Sequence, residues 1–130
     1  MVTSVVQRAA RDEPDFMPNA RRIASIAQEY KARRITGYDV RDLTVLTDCI
    51  IMCTVGNEPQ LKALYKGVRE ELSEIGVVPL HAEGEFSSNW LVLDFGTIMF
   101  HVFRENAYAF YDLDGLWADA PSLDLDLESE

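Results

Sequence analysis

Cysteine is scarce: Cys49 and Cys53 are the only two in 130 residues. They stand four apart in an apolar run that reads as a strand, which would hold their Cα atoms about 13 Å apart, beyond disulfide reach. Nor is this the CxxC spacing of a metal or redox pair, so two buried, reduced thiols are expected. Long apolar runs are missing too, and none approaches the roughly 20 residues of a membrane helix. The stretch MVTSVVQRAARDEPDFMP has no charged segment leading into a continuous apolar one, which argues against a secretory signal. Arg8 and Arg11 faintly resemble a transit peptide until Asp12, Glu13 and Asp15 intervene. A cytoplasmic protein is the expectation.

Positive charge is also in short supply. Twelve Lys and Arg against 22 Asp and Glu leave a net charge of −10. That balance argues against a domain that grips DNA or RNA by itself, because neutralising phosphates supplies most of such affinity. From Glu105 onward the acids Glu105, Asp112, Asp114, Asp119, Asp124, Asp126, Glu128 and Glu130 meet no Lys or Arg at all. An acidic surface steers towards a basic partner; in the tail DLDLESE solubility is the preferred reading of the charge.

Residues 1–18 read as an extension closed by Pro14 and Pro18, residues 19–121 as one domain, and residues 122–130 as an acidic tail. NARRIASIAQEYKA begins the domain as a helix, with Asn19 as N-cap and Ile23, Ile26, Ala27 and Tyr30 on one face. RRITGYDV is a weak strand interrupted by Gly37, and DCIIMCTV a central one. NEPQLKALYKGVREELSEIG carries every mark of a helix: Asn57 caps it, Pro59 suits its first turn, and Gly76 stops it. Leu61, Leu64, Tyr65, Val68, Leu72 and Ile75 form its apolar stripe, which core packing explains. VVPLH is a short edge strand, since Pro79 excludes a central one. ENAYAFYDLDGLW closes the domain as a short helix.

Between these lies a hairpin, NWLVLDFGTIMFHVF. With Phe95 and Gly96 as its loop, Asp94 pairs with Thr97, Val92 with Met99 and Trp90 with His101. Alternation puts Leu91, Leu93, Ile98, Phe100 and Val102 on a wholly apolar face. Trp90, Val92, Asp94, Thr97, Met99, His101 and Phe103 share the other, which is mixed. Phe dislikes the positive φ such a loop demands, so a three-residue loop with a bulge, or a register shifted by one, is the alternative.

Candidate chemistry is thin. DFG at Asp94–Gly96 matches the kinase magnesium motif in letters only, because no glycine-rich loop, HRD loop or lysine strand accompanies it. A nucleophilic triad has only His81 and His101 to draw on, lacks a GxSxG elbow, and would use a buried cysteine, usually inert. HAEGE and HVFRE place a histidine near a carboxylate without a known ligand spacing, and carboxylates at strand ends such as Asp39, Asp42, Asp48 and Asp94 are more often turn and cap residues. No GxGxxG or GxxxxGKS/T loop is present; VGN before the main helix could aim N–H groups at an anion, although Asn57 capping its own helix is the commoner use. What remains is the mixed hairpin face and the aromatic segment ending in Tyr108, Phe110, Tyr111 and Trp117. Trp90 and His101 beside Asp94 look more like an interface anchor than a catalytic set. The residues describe a small acidic α+β domain that binds a partner.

Four blocks then carry a specific resemblance: DVRDLTVLTDCIIMCT, QLKAL, GVVPLHAEGEFSSNWLVLDFGTIMFHVF and FYDLDGLWADAP, covering residues 19–121. In this order they resemble the ribosomal silencing factor family (RsfS, or Iojap-like). The resemblance implies a mixed β-sheet with helices packed against it, nucleotidyltransferase-like but catalytically inactive. Enzymes of that fold hold magnesium with a Gly-Ser turn and paired aspartates; no Gly-Ser dipeptide occurs here. It further implies binding to the large ribosomal subunit through ribosomal protein L-fourteen, obstruction of the small subunit, and repression of translation when nutrients are scarce, with no cofactor. Trp90, Asp94, His101, Tyr111, Leu116 and Trp117 match the family pattern and are the partner-binding candidates, together with Phe95, which stands where tyrosine is common. Thr97 replaces a usual aspartate, Val55 a glycine, and Tyr108 an arginine. Two rivals belong to other classes: a residual nucleotidyltransferase-like, metal-dependent phosphoryl-transfer enzyme working near Asp94 or Asp48, and a homodimerising scaffold.

Overall fold

A computed structural model of the chain describes residues 13–110 and 113–128. Its elements in order are α1 (Met17–Glu29), β1 (Arg33–Asp39), β2 (Cys49–Val55), α2 (Glu58–Glu74), β3 (His81–Glu83), β4 (Trp90–Asp94), β5 (Ile98–Arg104), α3 (Glu105–Phe110) and α4 (Leu113–Leu116). The run CIIMCTV is buried at every position, which only an inner strand achieves, and β2 lies second in a five-stranded sheet of order β1-β2-β5-β4-β3. β2 runs parallel to β5; the other neighbours pair antiparallel. This is the mixed sheet expected.

One face of the sheet carries the main core. Leu91, Leu93, Ile98, Phe100 and Val102, with Ile51 and Cys53 of β2, meet Ile23, Ile26 and Ala27 of α1 and Leu61, Leu64, Val68 and Leu72 of α2. Asn57 caps α2 as its sequence promised, accepting a 2.8 Å hydrogen bond from Gln60 N–H, and Gly76 ends that region at φ 80°. The stripe stops one position early, because Ile75 is exposed.

Three local expectations are corrected. Asn19 caps nothing: α1 starts at Met17, Pro18 occupies its first turn, where a missing N–H leaves no bond unmade, and Phe16 and Met17 are buried. The edge strand is His81–Glu83 rather than VVPLH, since Pro79 and the following turn keep residues 77–80 off the ladder except for Leu80 N–H, which donates to Asp94 O. The closing helix is two short ones, α3 and α4.

The C-terminal segment does more than trail in solvent. Asp39 N–H donates to Pro121 O and Leu123 N–H to Gly37 O, so residues 121–123 pair along the outer edge of β1, and Leu125 is buried against the core. This accounts for Gly37: a Cβ there would sit 3.1 Å from a Leu125 methyl.

Candidate functional site

The hairpin loop is Gly96–Thr97. Gly96 takes φ 91°, Phe95 N–H donates to Ile98 O at 2.8 Å, and the Asp94 carboxylate accepts from Gly96 N–H at 2.8 Å. The first loop position needs a positive φ, which glycine supplies and Phe95 does not. Moving the loop by one residue shifts the pairing by two, so the faces survive while the partners change. Trp90 opposes Phe103, Val92 opposes His101 and Asp94 opposes Met99.

The mixed face therefore has a defined shape. Phe103 is buried and roofed by Trp90, ring centroids 5.3 Å apart and planes 21° from parallel; His101 lies beside both, 5.7 Å from Trp90 and 6.1 Å from Phe103. The indole N–H donates to His101 Nδ1 at 3.0 Å. Accepting there places the imidazole proton on Nε2. Burial pushes the His101 pKa down to about 4, with Asp94 pulling the other way, so the ring is neutral at physiological pH. The indole nonetheless remains 41% exposed, an aromatic surface held in one orientation by stacking and a hydrogen bond. Chemically this is a platform for apolar and cation–π contact.

The remaining candidates divide. Trp117 is half-buried on the same side of the sheet, packed with Val40, Ile50, Met52, Phe103 and Ala107, while Leu116 beside it is exposed. Asp94 lies at the far end of β4, where its carboxylate is engaged by the turn. Phe95 packs against the main core, on the helix side of the sheet. Tyr111 lies outside the described residues. Trp90, His101 and Trp117 thus share a side; Phe95 does not join them.

Cys49 and Cys53 are free and buried, and burial raises both thiols, Cys49 to about 12. Among the described residues no three His, Cys, Asp or Glu side chains are grouped to hold a metal ion. No described helix is long and apolar enough to cross a membrane.

One exposed apolar group escaped the sequence reading. Leu43, Val45 and Leu46, in the loop between β1 and β2, point outward, as does Leu80 beside the hairpin turn. Thr44 Oγ1 accepts from Leu46 N–H, and Thr47 Oγ1 donates to Gly96 O, so threonines tie the loop down while its large side chains face solvent. The signal was available in TVLT, two consecutive apolar residues inside a turn.

Comparison with known proteins decides the family. The profile described as "Ribosomal silencing factor during starvation" (RsfS) matches residues 13–130. The chain belongs to the RsfS family. The ribosomal silencing factor RsfS of Bacillus subtilis is 27% identical over 103 residues, 79% of this chain and 87% of the relative. The chloroplastic protein Iojap of Arabidopsis thaliana is 28% identical over 121 residues, 92% of this chain and half of the longer plant protein. A crystal structure of a Chromobacterium violaceum protein superposes with a TM-score of 0.72 at 26% identity, covering 86% of this chain and 93% of that one. The RsfS match begins ahead of α1 and extends past Leu125, so it takes in both the buried Phe16 and the C-terminal segment along β1.

Proposed function

We propose that this RsfS family member acts in the cytoplasm by docking on the large ribosomal subunit through ribosomal protein L-fourteen. Bound there it obstructs the small subunit and represses translation when nutrients are scarce. The observation that carries the reading is Trp90, a large aromatic left 41% exposed yet held by Phe103 and His101 on an acidic domain. Preorganised aromatic anchors of this kind dominate interface energetics because little rotamer freedom is lost on binding. A net charge of −10 favours encounter with a basic ribosomal protein.

In this reading the mechanism is steric, and the sheet is a nucleotidyltransferase-like scaffold that performs no catalysis. Trp117 widens the anchor on the same side, with exposed Leu116 next to it in sequence, and no turnover or cofactor is required. Purified protein should co-sediment with free large subunits and lower the fraction of joined ribosomes. Absence of co-sedimentation at physiological salt would overturn the proposal.

A further inference from the structure

At the carboxyl ends of β2 and β5, the one parallel pair of the sheet, a cleft of about 320 Å³ opens between Lys31, Arg33, Thr54, Gly56, Gln60 and Glu105. Crevices at the carboxyl ends of parallel strands are where open sheets flanked by helices habitually bind ligands, and this volume falls at the lower end of small-molecule sites.

Its charge is opposite to that of the chain. Lys31, Arg33 and Arg34 fall within four residues of a protein that is otherwise strongly acidic. The one carboxylate on the wall, Glu105, is engaged on both sides: Thr54 Oγ1 donates to it at 2.8 Å and the Arg34 guanidinium lies 3.6 Å away. Lys31 and Arg33 are exposed and form no ion pair among the described residues, whereas Arg21, Arg22 and Arg41 each pair with a carboxylate.

The backbone adds an independent indication. Lys31 occupies the left-handed position that ends α1, at φ 65°, with Lys31 N–H donating to Gln28 O and Ala32 N–H to Ala27 O. Glycine is the residue this helix stop ordinarily takes. A lysine kept at such a position, on the wall of the cleft, is a local backbone cost.

We infer that this cleft binds a phosphate group carried on a nucleotide, either free or within an RNA strand, with Lys31 and Arg33 as the charged donors. The cleft is separate from the Trp90 platform. Arg33 pairs with Thr54, Thr54 neighbours Phe103, and Phe103 opposes Trp90, so the two lie in one cross-strand row with two strands between them.

The test is calorimetric and NMR titration of the full chain with inorganic pyrophosphate, GTP and a short oligouridine. Saturable binding that moves the amides of residues 31–34 and 54–56 is expected, and it should weaken as salt rises. Lys31→Gly relieves the positive φ, so it should melt no lower than the parent while binding at least about tenfold more weakly. Arg33→Gln, whose backbone is unaffected, should weaken binding similarly. GTP and pyrophosphate binding as tightly as oligouridine would identify a free nucleotide; oligouridine binding alone would identify an RNA backbone. No saturable binding by any probe, or equal binding by both variants, overturns the inference. The subunit-docking proposal is read separately: Trp90→Ala should bind these probes like the parent, and failure here leaves large-subunit co-sedimentation untouched.

Discussion

Trp90 and His101 meet on the diagonal of the β4–β5 hairpin, where the indole N–H reaches the imidazole Nδ1 at 3.0 Å while Phe103 and Val92 are their direct cross-strand partners. The arrangement uses one edge of each ring. The indole spends its N–H inward while the residue stays 41% exposed, and the histidine is confined to its neutral form by the same burial that lets it accept.

Replacing Trp90 with Ala is expected to weaken large-subunit binding by at least about 2 kcal/mol, roughly thirtyfold, if the indole is a central anchor. The cost to folding should be smaller, about 1 kcal/mol, because the residue is 41% exposed and loses one hydrogen bond and a ring stack. Sedimentation affinity and thermal melting separate the two. Unchanged affinity in a folded variant would make Trp90 purely structural.

His101 should make stability depend on pH. Its folded value, about 4, lies below the ordinary 6.5, so the unfolded chain takes up the proton first. Stability is therefore fully present above about pH 6.5 and declines as pH falls towards 4, by up to about 3 kcal/mol. His101→Gln should flatten that part of the profile. Urea midpoints followed from neutral pH down through this window check it, and parallel profiles for both proteins would count against the assignment.

Gly67 should resist improvement. Alanine in a helix interior ordinarily gains about 1 kcal/mol over glycine. Here a Cβ would lie 2.6 Å from the Tyr30 ring, so Gly67→Ala must push that ring off α2 and is expected to lower stability by about 1 kcal/mol instead. In a Tyr30→Ala background the same substitution should become stabilising, a reversal of sign that a double-mutant cycle reads directly.

Leu125→Ala should cost about 2–4 kcal/mol, as for a core leucine, although the residue sits in a stretch whose composition reads as a solvated acidic tail. Denaturant unfolding provides the measurement. A loss below about 0.5 kcal/mol would mean that the segment along β1 contributes nothing to the fold.

Much of the architecture was written in local chemistry. The capped, striped helix α2, the continuously apolar strand β2 and the two faces of the hairpin follow from periodicity and from residues such as Asn57 and Gly76 whose backbone preferences are strong. The aromatic candidates on the mixed face were legible for the same reason: alternation survives a two-residue change in register, so Trp90 and His101 share a face with either two-residue loop, Phe95–Gly96 or Gly96–Thr97. The loop was expected one residue early, at Phe95–Gly96, and the demand for positive φ at its first position, met by Gly96, fixes it at Gly96–Thr97.

What the sequence determined by itself was thus the main helices and central strands, the sides of the hairpin and the family. Tertiary structure alone decided the relations between distant segments: Leu125 filling the space left by Gly37, Tyr30 lying on Gly67, and Lys31 and Arg33 brought beside Thr54 and Glu105. These depend on shape and charge meeting across the fold. Neither hydrophobic period nor turn propensity encodes where two remote side chains will touch.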